Sequence, residues 1–116
     1  MSKREVQIAK TEALFRDVNE RIAETSGRFD ADEAEFMCEC ADPGCAERLH
    51  VPLEEYEEVR EKPTTFVLNP DHVKPGVEEI VERRRGYAIV EKVDRIVAQV
   101  VRQLDPRPGR ASAEPS

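Results

Sequence analysis

Apolar residues recur at helical spacing through the first quarter of the chain. Ile8, Phe15, Val18 and Ile22, flanked by Ala9, Ala13 and Leu14, define one face of a helix over 4–27. Arg16, Asp17, Glu20, Arg21 and Glu24 form the other face, and Ser26-Gly27 supplies a C-terminal stop. The stripe predicts a helix packed on the domain core. A coiled-coil or antiparallel partner is its second reading, so self-association through this helix is kept as a partner expectation.

Residues 28–35 are an acidic connector carrying Phe29 as its one large apolar anchor. Over 35–52, Phe36-Met37-Cys38 and Arg48-Leu49-His50-Val51 read as two strands of a hairpin with a cysteine loop at its tip; Asp42-Pro43-Gly44 supplies the turn. A second helix is predicted over 52–62, with Leu53, Tyr56 and Val59 inward, stopped by Pro63. The β-branched and aromatic run over 64–68 reads as a strand, and 69–76 as a loop with three breakers and His72. A hairpin around Arg85-Gly86 joins 77–84 to 87–93. Asp94 caps a final helix over 95–104, with a strand as the alternative because of its β-branched content. The fold class is therefore α+β: a single domain over 1–104, with 1–27 as its N-terminal helix and 105–116 as a flexible tail.

Composition adds a constraint. The chain has 116 residues, 37% charged, 39% hydrophobic and 5% aromatic, with no Trp. A core this small often needs a staple such as a metal. Net charge is −7, which opposes direct nucleic-acid binding. The one basic run, Arg83-Arg84-Arg85, sits among Glu78, Glu79, Glu82 and Glu91 and reads as a solvated strand end or turn. A protein partner with a basic surface suits the charge better. No signal core or membrane span is visible, so a cytoplasmic location is expected, where clustered cysteines favour a metal over a disulfide framework.

All three cysteines lie in Cys38-Glu39-Cys40-Ala41-Asp42-Pro43-Gly44-Cys45. Soft thiolates suit Zn²⁺, Cu(I) or iron–sulfur clusters, and a structural zinc site takes four tetrahedral ligands. The fourth ligand is His50 or His72. His50 alternates with Leu49, Val51 and Leu53, which places it on the solvent face; His72 lies in a loop pinned by Pro70 and Pro75. This favours Cys38, Cys40, Cys45 and His72 binding Zn²⁺. Three alternatives stay open: a thiol redox switch, a two-iron cluster using His50, and a small zinc hydrolase with an open position served by Glu39, Asp42 or Asp71. There is no Gly-rich phosphate loop, nucleophile elbow or H-E-x-x-H helix, so a regulatory or interaction module is favoured over an enzyme. Tyr56 and Arg60, one turn apart, are expected to pack and to pair with a neighbouring acid, respectively.

Phe36-x-Cys38-Glu39-Cys40-x-Asp42-x-x-Cys45, Glu55-Tyr56-x-x-Val59-Arg60, Pro63-x-x-Phe66, Pro70-x-His72 and Tyr87-x-x-Val90-Glu91-Lys92 together resemble a family of short, chiefly actinobacterial proteins without an assigned activity. Asn19-Glu20-Arg21-Ile22 and Asp105-Pro106-Arg107 fit the same pattern. The resemblance spans about residues 17 to 107 and implies His72 as fourth ligand. Asp71 departs from it, standing where the family has a glycine.

Overall fold

Helix α1 spans Lys3–Arg28 in the computed structural model, which describes residues 3–107. Its buried face is Ile8, Ala9, Glu12, Phe15, Arg16, Asn19 and Ala23, so the helix is rotated from the predicted apolar stripe. Val18 and Leu14 are exposed, whereas Arg16 is fully buried. The reason is partnering: Arg16 donates from Nη1 to the Pro63 carbonyl (2.6 Å) and from Nη2 to that of Val101 (2.7 Å), with its guanidinium 4.6 Å from the Phe66 ring centre. Two carbonyl acceptors and the aromatic ring offset the cost of burying this cation, whose Nε has no acceptor among the described residues.

The predicted stop at Gly27 also moves. The left-handed residue is Asp30 (φ 55°), with Asp30 N–H bonded to the Gly27 carbonyl and Ala31 N–H to that of Ser26. These two bonds make a Schellman cap with Asp in the position usually held by glycine.

Strands β1 (Glu33–Met37) and β2 (Arg48–Pro52) pair antiparallel, Phe36 opposite Leu49 and Glu35 opposite His50. Helix α2 runs Leu53–Val59, shorter than the sequence suggests, with Arg60 as its C-cap. Strand β3 (Thr65–Leu68) is followed by a 3₁₀ turn at Pro70–His72, then β4 (Glu78–Arg84), β5 (Tyr87–Lys92) and helix α3 (Arg95–Gln103). The order β3-β5-β4 makes a second antiparallel sheet, with an irregularity between Ile80 and Glu82. The helical reading of 95–104 holds: Asp94 Oδ1 accepts the N–H groups of Ile96 (2.9 Å) and Val97 (3.0 Å), an N-cap. The fold is α+β as predicted.

The two sheets meet through the cysteine segment. Glu39 N–H donates to the Val67 carbonyl at 2.9 Å, so Cys38-Glu39-Cys40 lies along the free edge of β3 and covers it. The core gathers Phe36, Tyr56, Phe66, Val90 and Val97; Phe36 and Tyr56 stack with centroids 4.2 Å apart. Beneath α1, Lys92 pairs with Glu12 and Glu78 in a buried triad, with its ammonium 4.5 Å from the Phe66 ring centre.

The segment expected to be a tail begins on anchored residues. Arg60, fully buried, pairs with Glu20 and Asp105, and Arg107 reaches both Glu20 (2.9 Å) and Glu57 (2.9 Å). Residues 108–116 lie outside the described residues. So Arg60 pairs with acids distant in sequence, and Tyr56 packs.

Candidate metal centre

An extended C-x-C segment puts alternate side chains on opposite sides. Cys38 and Cys40 face one way, toward His72; Glu39 faces the other, into the core. The third cysteine returns through the Asp42–Cys45 turn, in which Asp42 Oδ1 accepts the Gly44 N–H (2.9 Å) and its carbonyl accepts the Cys45 N–H (3.0 Å). His72 is presented by the 3₁₀ turn: Asn69 Oδ1 accepts the Asp71 N–H (2.8 Å) and the Asn69 carbonyl accepts the His72 N–H (2.8 Å). Among the described residues Asp30 is the only non-glycine with positive φ, so the loop needs no glycine at Asp71.

The ligand atoms of Cys38, Cys40, Cys45 and His72 all lie within 4.8 Å of one another. His72 Nδ1 is 3.4 Å from Cys38 Sγ and 3.7 Å from Cys45 Sγ. Zinc–sulfur and zinc–nitrogen bonds of ordinary length at a tetrahedral angle give a sulfur–nitrogen separation of about 3.6 Å. The two separations from His72 match that value, and the four ligand atoms are close enough together to surround one ion. Cys38 and Cys40 are buried, Cys45 and His72 half-buried.

Burial also sets the electrostatics of the thiols. It pushes the Cys38 and Cys40 thiols up; the N–H of Asn69, 3.3 Å from Cys38 Sγ, and that of Asp42 at Cys40 oppose this, while Cys45 adds to it in both. Without an ion these thiols keep their protons, and a divalent ion bound among them would have to displace those protons.

Behind the cysteines, Glu39 is a hub that the sequence reading missed. Its carboxylate accepts from Asn19 Nδ2 (2.8 Å), the Tyr56 hydroxyl (2.9 Å) and the Val67 N–H (3.0 Å). Asn19 also clasps the Met37 backbone, donating to its carbonyl (2.9 Å) and accepting its N–H (2.8 Å). Burial raises the affinity of Glu39 for a proton, and the bonds from Asn19, Val67 and Tyr56 offset it. Glu39 thus holds the C-x-C segment from inside and is turned away from the ligand cluster. Asp42 is engaged in its own turn, and Asp71 is exposed. His50 stands on the hairpin's outer face, 3.0 Å from Glu35 and 3.7 Å from Glu33.

Fold and site define a small α+β protein whose Cys3His cluster can hold a metal ion. No helix among the described residues is long and apolar enough to cross a membrane. Compared with protein-family profiles, curated proteins and solved structures, the chain has no significant match.

Proposed function

We propose that this is a zinc protein in which Cys38, Cys40, Cys45 and His72 hold one structural Zn²⁺, and that it works as a cytoplasmic regulatory or protein-interaction module. The observation that carries the metal is that the four ligand atoms lie within 4.8 Å of one another, with His72 Nδ1 3.4 and 3.7 Å from two of the sulfurs. Four protein ligands fill the coordination sphere, which favours a structural over a hydrolytic ion. Membership of the short actinobacterial family the chain resembles is part of the same proposal.

The ion would close the hairpin tip onto the 3₁₀ turn, joining the two sheets where one backbone bond, Glu39 N–H to the Val67 carbonyl, already links them. The interaction role is supported by apolar side chains left on the outside of α1 and just beyond it: Leu14, Val18 and the 80% exposed Phe29. Leu14 and Val18 line one surface groove with Ile22, and exposed apolar residues grouped in this way are a common mark of binding surfaces.

Metal analysis of the purified protein tests the first part. Partner capture with wild type and Val18→Asp tests the second. A stoichiometric partner kept by wild type and lost by Val18→Asp is expected; equal capture by both, or none, contradicts the interaction role.

A further inference from the structure

The three thiols of the centre are not equivalent. Cys38 and Cys40 are 1% and 2% exposed, whereas Cys45 is only half-buried. Cys38 is held on two sides: its N–H donates to the Glu47 carbonyl (3.1 Å) and its sulfur accepts the Asn69 N–H (3.3 Å). Cys45 sits at the end of the Asp42–Cys45 turn, in a stretch without helix or strand. A cleft of about 450 Å³, lined by Cys40, Ala41, Asp42, His72 and Lys74, reaches two other ligands of the centre, Cys40 and His72. The sulfurs of Cys38, Cys40 and Cys45 lie within 4.8 Å of one another, so either buried thiol is near enough to meet Cys45.

We infer that the centre is an oxidation site for small hydroperoxides, entered at Cys45 and closed by Cys40. This rests on the metal reading above and adds its regulation. The Cys45 thiolate attacks the peroxide; a sulfur–oxygen bond forms, the oxygen–oxygen bond breaks, and the alcohol (or water) leaves with a proton. Cys40 then attacks the Cys45 sulfenic sulfur, and hydroxide leaves as water with a second proton. Two thiolates, one hydroperoxide and two protons become one disulfide, one alcohol and one water; two electrons pass from sulfur to the peroxide. Cys40 resolves rather than Cys38 because joining Cys40 to Cys45 draws only on the 41–44 turn, while Cys38 is in addition tied through its own N–H to the Glu47 carbonyl. Cys38 and His72 alone are too few to keep a tetrahedral ion, so oxidation releases the staple.

The test uses the whole wild-type chain, first shown to carry one equivalent of zinc, so that failure to bind metal is read separately. Tert-butyl hydroperoxide is then titrated in, with released zinc followed by a chromophoric chelator and thiols mapped by isotope-coded alkylation and mass spectrometry. The expected result is one zinc released per hydroperoxide consumed, a Cys40–Cys45 disulfide, a free Cys38, and recovery with dithiothreitol and zinc. In the zinc-loaded protein without peroxide, Cys45 should alkylate at least about tenfold faster than Cys38. Zinc retained with three intact thiols under excess peroxide overturns the inference, as does a disulfide that contains Cys38.

Discussion

Glu39 and Tyr56 are joined by a buried hydrogen bond of 2.9 Å, carboxylate to hydroxyl, directly behind the two cysteines that flank Glu39 in sequence. The C-x-C segment is therefore held from behind by Glu39, Tyr56, Asn19 and Val67, and in front its two sulfurs face Cys45 and His72, which with them can hold a metal ion. Removing either side should loosen the other.

The Glu39→Ala variant leaves the Asn19 amide, the Tyr56 hydroxyl and the Val67 N–H without their acceptor. It should lose about 3–5 kcal/mol of stability in urea unfolding of the zinc-loaded protein. Zinc affinity should fall by about tenfold to a hundredfold, because a supporting shell positions the ligands. Tyr56→Phe removes one donor, keeps the stack on Phe36, and should lose only about 1–2 kcal/mol. Equal effects of the two variants in denaturant titration would contradict the hub.

Asp105 and Arg107 tie the segment after α3 back to α1 and α2. Asp105→Ala removes a carboxylate from the fully buried Arg60 and should destabilise by about 2–4 kcal/mol. The partly exposed pairs of Arg107 with Glu20 and Glu57 are screened by solvent, so Arg107→Ala should lose no more than about 1 kcal/mol. Unfolding curves for both variants check the order.

Glu12 gives the fold a pH dependence. Burial lifts its carboxyl from 4.5 to about 7, Glu78 adds to this, and Lys92 opposes it. A pKa higher in the folded than in the unfolded chain means that the folded state holds the extra proton. The associated stability is full below about 4.5 and is lost as pH rises through about 7. Glu12→Gln cannot ionise, so the stability difference between variant and wild type should shift in the variant's favour from pH 5.5 to pH 8. A difference that stays constant over that range would contradict the assignment.

Much of this was readable from the sequence where local rules act alone. The cysteine cluster, its turn at Asp42-Pro43-Gly44, the solvent-facing His50 and the Asp94 cap each depend on neighbours a few residues away. So did the hairpins and the helices, apart from their ends. What escaped the reading was the buried polar set. Arg16 was assigned to the outer face of α1 because a charged side chain on a helix is usually solvated, yet its acceptors at Pro63 and Val101 lie 47 and 85 residues away in the chain. Glu39, Asn19 and Arg60 were hidden for the same reason: their partners are brought together only by the fold. One local signal was present. An acid between two metal-binding cysteines of an extended segment must point away from them, and in a small domain that direction is the core.

The most direct test of the account is zinc content and affinity for wild type beside His72→Ala, His50→Ala and Cys40→Ser. The account predicts one colourless zinc equivalent per chain in wild type and His50→Ala, and a loss of at least about tenfold in affinity in His72→Ala and Cys40→Ser. A wild-type chain that binds no metal would contradict it, as would a centre unchanged by His72→Ala or a coloured iron protein that depends on His50.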